Sequence, residues 1–503
     1  MSSTREQLVS HLESPLGRGH IPGDAFTGAA GGAACGDLLR ISIALDSDSP
    51  EGRIRDAGFD ASGCGASIAA GSATVSLARD APLLDAARIG AQEIAQELGG
   101  LSAAKYHAAE LAADALHRAL GAAARAAGPL APNAKRTLVA MSGGVDSAVA
   151  ALLVAREGAQ AVGVTLELWS DAASSPEGEG ENGDLSCCSA QAVRAARALA
   201  HELDMPHLSI DLRAEFRAGV VDGWIAEQAS GLTPNPCVRC NGSVRLDAML
   251  ELAGRLGSNT LATGHYARLS ERPSEDGADD VAAPGAPLLR TAADERKDQS
   301  YVLSALAPQS LARLRFPLGG MPKQHVRELA QRAGLAVARK RDSQDLCFLA
   351  GTRQRDFLER HGGMRARPGP IVDLQGSVLG EHGGAHIYTV GQRHGLGISA
   401  SEPLYVLATD TSSNTITVGP RRALLAQALA VREATLHRDG RVVDGVRVRA
   451  HGRRLACRLS GEPHAGRHAR LALELNEPAE RTAPGQIACL YAGDVVVGYG
   501  TLA

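Results

Sequence analysis

Read for its apolar and polar positions, the chain falls into stretches of different period. Residues 136–140 are a compact apolar run and 148–155 a strong helix former, with Met141-Ser-Gly-Gly-Val-Asp-Ser147 between them. The order is strand, glycine turn, helix. Strand-like runs follow at 160–168, 207–212 and 259–265, and helix-like runs at 190–203 and 214–228. This alternation predicts an α/β unit over 135–354, a doubly wound parallel sheet with ligands beyond the carboxyl ends of its strands. Upstream, 41–45 reads as a strand and 86–98 and 108–124 as Ala-rich helices, an α+β unit over 1–125. Downstream, 355–427 combines short strands with glycine turns as a small central domain. Short alternating runs at 446–450, 468–475, 487–491 and 495–499 predict a C-terminal β-barrel over 428–503. Residues 126–134, around Gly128-Pro-Leu-Ala-Pro-Asn133, read as a linker. The acidic stretches 171–184 and 271–287, rich in Gly, Pro and Ser, read as mobile surface insertions.

Composition narrows the picture. A chain of 503 residues that is 44% hydrophobic has enough apolar side chains for several ordinary cores. A net charge of -4 excludes a general polyanion binder, so nucleic-acid contact needs local basic patches. Nine cysteines, odd and sparse, fit metal or catalytic thiols in a reducing cytoplasm better than a disulfide framework. The start has no basic stretch leading into an apolar core, and no apolar run reaches the ~20 residues that span a bilayer. The expectation is a cytoplasmic protein with no membrane partner.

The glycine turn carries the first chemistry. Ala140, Met141, Ser142, Gly143, Gly144, Val145, Asp146 and Ser147 place backbone N–H groups at a helix N-terminus, where dipole and donors favour a phosphate. Ser142 and Ser147 add hydroxyl donors, and Asp146 can orient the loop or a magnesium ion. The pattern is not G-x-x-x-x-G-K-[ST], which excludes a Walker A loop. It resembles the PP-loop of ATP pyrophosphatases, which adenylate a carbonyl oxygen and release pyrophosphate.

In the first unit, Cys35, Asp37, Cys64 and His107 are plausible metal ligands, with glycine beside both cysteines. The alternative is that Cys35 and Cys64 are small buried hydrophobes. The signatures around Cys35-Gly-Asp37, Gly63-Cys-Gly65 and His107 resemble the NifU/IscU-type iron–sulfur scaffolds. That family carries a third, sulfur-accepting cysteine where this chain has Ala108. A degenerate scaffold, a carrier of an iron–sulfur cluster or zinc, and a docking domain for a cysteine desulfurase all remain open.

In the second unit, Thr233-Pro-Asn-Pro-Cys-Val-Arg-Cys-Asn241 sets Cys237 and Cys240 as a C-x-x-C pair after a rigid turn. That spacing suits two ligands of one metal or a redox pair. Lys323, Arg327, Arg332, Lys340 and Arg341 form a basic run, readable as an RNA-facing patch or as a solvated helix face. Cys457 and Cys489 lie in strand-like runs and read as core, and Cys187 and Cys188 as structural.

Thr263-Gly-His-Tyr266, Lys297-Asp-Gln-Ser-Tyr301, Phe316-Pro-Leu-Gly319, Asp342-Ser-Gln-Asp-Leu-Cys-Phe348, Tyr388-Thr-Val-Gly-Gln-Arg393 and Ala483-Pro-Gly-Gln486 follow in order. With the glycine loop and the C-x-x-C turn, they resemble the tRNA-specific 2-thiouridylases over residues 135–503. The resemblance implies ATP-dependent replacement of O2 of the wobble uridine 34 by sulfur. It implies nucleotide contacts from Leu166 and Gly264, and base or tRNA contacts from Asn235, Pro236, Cys237, His265, Lys297, Asp298, Gln299, Arg449 and Gln486. At Ala450 the family usually has tyrosine. The resemblance makes Cys240 the nucleophile and Cys347 the persulfide carrier, leaving a disulfide between them. The family's commoner residue at the Cys237 position is aspartate. Cysteine there gives three thiolates, Cys237, Cys240 and Cys347, able to hold a 4Fe–4S cluster with one open iron. This route is favoured over the persulfide route. The first unit would then deliver a cluster or sulfur at high effective concentration, from a cysteine desulfurase or another donor. An amidating pyrophosphatase would leave these cysteines idle. A non-enzymatic iron–sulfur carrier would leave the loop idle.

Overall fold

The computed structural model describes residues 2–31, 36–170, 189–270, 286–340, 342, 346–349 and 352–503. Cys35, Cys187, Cys188 and Arg341 lie outside these, as do stretch 171–184 and most of 271–287.

Strands Phe26–Gly31, Leu38–Leu45 and Ile54–Ser62 make an antiparallel sheet in sequence order. Helices Gly65–Ala78 and Tyr106–Ala126 cover it. Small residues let the second helix lie directly on the sheet. A Cβ at Gly28 would stand 2.1 Å from the Ala115 carbonyl oxygen. Leu39, Ile41, Ile43 and Phe59 fill the core against Ala69, Ala73, Ala112 and Ala119. The helix expected at 86–98 is two pieces, Leu83–Ala86 and Ala91–Glu97. Gly90 breaks it and starts the second piece, its N–H donating to Glu93 Oε2 at 2.8 Å.

The α/β unit holds five parallel strands. Their spatial order is Leu314–Arg315, Thr260–Ala262, Arg136–Ala140, Gln160–Glu167, His207–Asp211. The order reverses beside Arg136–Ala140, so the glycine loop sits at the switch point of the sheet. Helix 214–228 is interrupted by a π-helical turn at Arg217–Val221, and a second π turn spans Cys240–Arg245.

Helix Tyr106–Ala126 of the first unit also packs along the edge strand His207–Asp211. A Cβ at Gly121 would stand 2.0 Å from the Ser209 carbonyl oxygen. This contact covers an edge that would otherwise be open to pairing. The linker is pinned as well: Leu130 N donates to Arg255 O at 2.7 Å and Ala131 N to Pro50 O at 2.8 Å. The first unit is therefore docked against the α/β unit through its helix and its linker.

The central domain is a four-stranded sheet. The C-terminal strands close into a barrel through the pairing of Leu425–Leu436 with Val495–Leu502. A short hairpin from the α/β unit, Arg268–Leu269 with Leu289–Arg290, extends this sheet at Val495. Two-residue strands carry no legible period, so this interlock was not anticipated. No helix among the described residues is long and apolar enough to cross a membrane.

Candidate active site and scaffold-domain site

The glycine loop is built by local constraints. Gly143 has φ +69, and a Cβ on it would stand 2.8 Å from the Ala192 carbonyl oxygen. Gly144 precedes the first turn of helix Val145–Arg156. The Ser147 hydroxyl donates to Gly144 O at 3.0 Å and accepts from Ser142 N at 3.1 Å. It also lies 3.2 Å from the Ser142 hydroxyl. Ala140, Met141 and Val145 are buried beneath the loop, as is Leu166 on the neighbouring strand. Gly264 closes the other side, where a Cβ would stand 2.7 Å from both Asp146 C and Ser147 N.

Asp146 is held from two directions. Tyr266 donates its hydroxyl to Asp146 Oδ1 at 2.8 Å. The Lys323 ammonium reaches Oδ1 at 2.7 Å and Oδ2 at 2.8 Å. Burial and the neighbouring Asp146 carboxylate push the Tyr266 phenol far up, so it stays a donor. Next to it, His265 accepts or donates to Thr263 Oγ1 at 2.8 Å. Desolvation, with Arg245 nearby, pushes its imidazole down to about 3, so it is neutral near pH 7.

The basic run does not form one RNA-facing stripe. Lys323 is buried, and Arg327 donates to Asp342 Oδ1 at 2.7 Å and to two backbone carbonyls. Arg332 is exposed and Lys340 half-buried. Lys297 pairs with Asp342 at 2.7 Å. Asp298, expected to touch tRNA, is instead buried with its carboxylate engaged. It accepts from Ala292 N at 2.9 Å, Ser300 Oγ at 2.7 Å and Arg447 Nη1 at 2.5 Å. It fastens the barrel to the α/β unit. Gln299 Oε1 accepts from Tyr266 N at 2.8 Å and supports the loop that carries His265.

Asn235 caps the cysteine turn, accepting from Cys237 N at 3.0 Å and Val238 N at 3.4 Å, with Pro236 at the first helical position. Cys237 and Cys240 stand one helical turn apart, Cys240 buried and Cys237 half-buried. Cys347 is half-buried, and Phe348 after it packs edge-on against Trp224 at 5.2 Å between ring centres. Arg239, on the cysteine helix, donates to Glu227 at 2.6 Å, beside Trp224 on the same helix. Both cysteine-bearing segments thus rest on one apolar core.

Thr233, Thr389–Gln392, Arg449, His451 and Gln486 line a cavity of about 710 Å³ where the α/β, central and barrel units meet. Gln486 Nε2 donates to Thr233 O at 2.6 Å. A second cavity, about 680 Å³, shares Arg449 and adds Arg421, Arg422 and Arg453. Arg421 and Arg422 are neighbours in the chain, and Arg453 joins them only in the fold.

In the first unit, Asp37, Cys64 and His107 bring their ligand atoms within 4.8 Å of one another. They are the only such triad of His, Cys, Asp or Glu among the described residues. Ser67 Oγ donates to Asp37 Oδ2 at 2.6 Å and Cys64 N to Oδ1 at 3.2 Å. The Ser67 hydroxyl in particular holds the buried Asp37 carboxyl below its ordinary range. Ser67 lies two residues past the Gly63-Cys-Gly65 signature, and a lone serine there carries no ligand signal of its own. His107 Nδ1 donates to Ala104 O at 2.9 Å, which leaves Nε2 as the ring nitrogen open to a further contact. That nitrogen is buried without a hydrogen-bond partner, 3.9 Å from Asp37 Oδ2. Ala108 is fully buried, where the scaffold family has its third thiol.

Fold and loop define a multidomain PP-loop protein whose catalytic unit is joined to an iron–sulfur-scaffold type of domain. Family descriptions match each part. "NifU-like N terminal domain" covers 3–126 and "tRNA methyl transferase HUP domain" 135–351. "tRNA methyl transferase PRC-barrel domain" covers 355–420 and "Aminomethyltransferase beta-barrel domain" 428–502. A bifunctional protein NifU/MnmA of Rubrobacter xylanophilus is 41% identical over 99% of this chain and 98% of its own. The tRNA-specific 2-thiouridylase MnmA of Moorella thermoacetica is 40% identical over 73% of this chain and 98% of its own. That of Chloroflexus aurantiacus is 41% identical over 73% and 98%. The chain belongs to the bifunctional NifU/MnmA family.

Proposed function

We propose that the protein is an ATP-dependent tRNA 2-thiouridylase acting on the wobble uridine 34. The observation that carries this reading is the closed Ser142–Ser147 loop at the switch point, on the same unit as Cys237, Cys240 and Cys347. The uridine O2 attacks the α-phosphate of ATP, pyrophosphate leaves, and C2 now carries a good leaving group. The loop N–H groups and hydroxyls stabilise charge on the departing pyrophosphate. Asp146 would hold the magnesium ion. Neutral His265 lies beside the base as a polar contact without added charge. Attack of sulfur at C2 then expels AMP. Arg449, Gln486, Lys297, Asn235 and Pro236 make up the tRNA side.

Cys237, Cys240 and Cys347 would hold a 4Fe–4S cluster, which supplies an open iron for hydrosulfide. The three thiols do not close to the 4.8 Å spacing of a single-ion site. A cubane, whose ligands sit on different irons, takes wider spacing. In the persulfide route, Cys347 gives up its outer sulfur and a Cys240–Cys347 disulfide remains for reduction by a thiol. In the first unit, Asp37, Cys64 and His107, with Cys35, would hold zinc or an iron–sulfur cluster. The orphaned His107 Nε2 and the ionised Asp37 fit a cation. A cysteine desulfurase or another sulfur donor is the second partner, and the setting is the cytoplasm.

The test is anaerobic reconstitution of the full chain carrying Cys64→Ala, so that iron is counted in the catalytic unit, with and without Cys237→Ala. Iron content and 2-thiouridine formation are expected to fall together on loss of Cys237. Full thiolation by iron-free protein would leave the persulfide route. Thiolation that survives Asp146→Ala would sink the adenylation reading.

A further inference from the structure

Lys323 opens a helix whose charge pattern looked RNA-facing, yet its ammonium points inward. It bridges two carboxylates that belong to different parts of the site. Asp146 on the nucleotide loop lies 2.7 Å away and Asp342 2.9 Å away. Asp342 is five residues before Cys347. Lys297 and Arg327 complete the set on Asp342, each at 2.7 Å. Three cations therefore face two anions, and Lys323 is the cation common to both. Phe348, next to Cys347, is buried among Trp224, Phe216 and Phe357.

A triphosphate with magnesium changes this balance. The metal competes with the ammonium for Asp146, and the phosphate oxygens attract the ammonium. Either change alters what Lys323 offers Asp342, which lies five residues before Cys347 in the chain. We propose that Lys323 is a positioning residue that couples occupancy of the nucleotide loop to the placement of Cys347, through Asp342. This rests on the functional reading above only in taking the loop as an ATP site.

The test reads Cys347 without tRNA or turnover. Full-length protein is treated with iodoacetamide, with and without magnesium and an α,β-methylene analogue of ATP. The Cys347 peptide is followed by mass spectrometry, and analogue binding is measured by calorimetry. In the wild type, the analogue is expected to change the Cys347 alkylation rate about fivefold or more, the low end of ordinary coupling between sites. Lys323→Met and Asp342→Asn are each expected to abolish that response, while Lys323→Arg keeps part of it. Asp342→Asn leaves the loop residues intact, so it is expected to bind the analogue. A wild-type response retained in both Lys323→Met and Asp342→Asn overturns the coupling. Binding to the wild type with no response at Cys347 also overturns it and spares the functional reading. No binding at all overturns both.

Discussion

Arg118 of the first unit grips Glu167 of the catalytic sheet through two hydrogen bonds of 3.1 Å, from Nε to Oε1 and from Nη2 to Oε2. Glu167 is the last residue of strand Gln160–Glu167, which pairs with the strand leading into the glycine loop. His107 and Arg118 share helix Tyr106–Ala126, eleven residues or roughly 16 Å of helix apart. The scaffold-domain triad and the catalytic sheet are thus joined by one stiff element.

Loss of that grip should be visible in stability. Glu167 is buried, so Arg118→Met leaves a carboxylate short of its partner in a poorly solvated place. The expected cost is about 1–3 kcal/mol. Both tryptophans, Trp169 and Trp224, lie in the α/β unit, so urea unfolding followed by their fluorescence reports on it. Glu167→Gln keeps an acceptor and should cost less. An unchanged urea midpoint for Arg118→Met would mean that the pair contributes nothing to docking.

Gly264→Ala tests the closure of the nucleotide loop. The new Cβ would lie 2.7 Å from Asp146 C and Ser147 N, both backbone atoms that cannot swing aside. Relieving the overlap displaces the first turn of helix Val145–Arg156, at about 1–3 kcal/mol. ATP affinity should fall about tenfold or more by calorimetry, since 1.4 kcal/mol is a factor of ten. Wild-type affinity would show that the turn moves without cost.

The loop was legible because its requirements are local: a glycine with positive φ, serines three and five positions from their partners, and a helix start. The barrel cysteines were legible too. Alternation placed Cys457 and Cys489 inward, and burial pushes both thiols up to about 12. Lys323 and Asp298 misled for the opposite reason. Charge along a sequence shows which helix face is polar, but not which face another unit covers. The docking of helix Tyr106–Ala126 depends on Gly28 and Gly121 meeting distant backbone, and a lone glycine in an Ala-rich helix gives no hint of a partner.

Asp342 gives a pH signature. Burial alone would raise its carboxyl, but hydrogen bonds and charge from Lys297 and Lys323 bring it to about 2, from an ordinary 3.8. Its folded value is therefore below its unfolded one. Such a group stabilises the fold above the unfolded value and loses that contribution as pH falls toward the folded value. The shift corresponds to a stabilisation on the order of 2 kcal/mol near neutrality. Asp342→Asn should be less stable than wild type by at least that order near neutrality, because Lys297, Lys323 and Arg327 then also repel one another. The gap should hold down to about pH 4 and narrow between about pH 4 and pH 2 as the wild-type carboxylate takes its proton. Unfolding free energies of the two proteins across that window check the sign. A gap that stays constant to about pH 2 would assign the loss to packing rather than to the charge of Asp342.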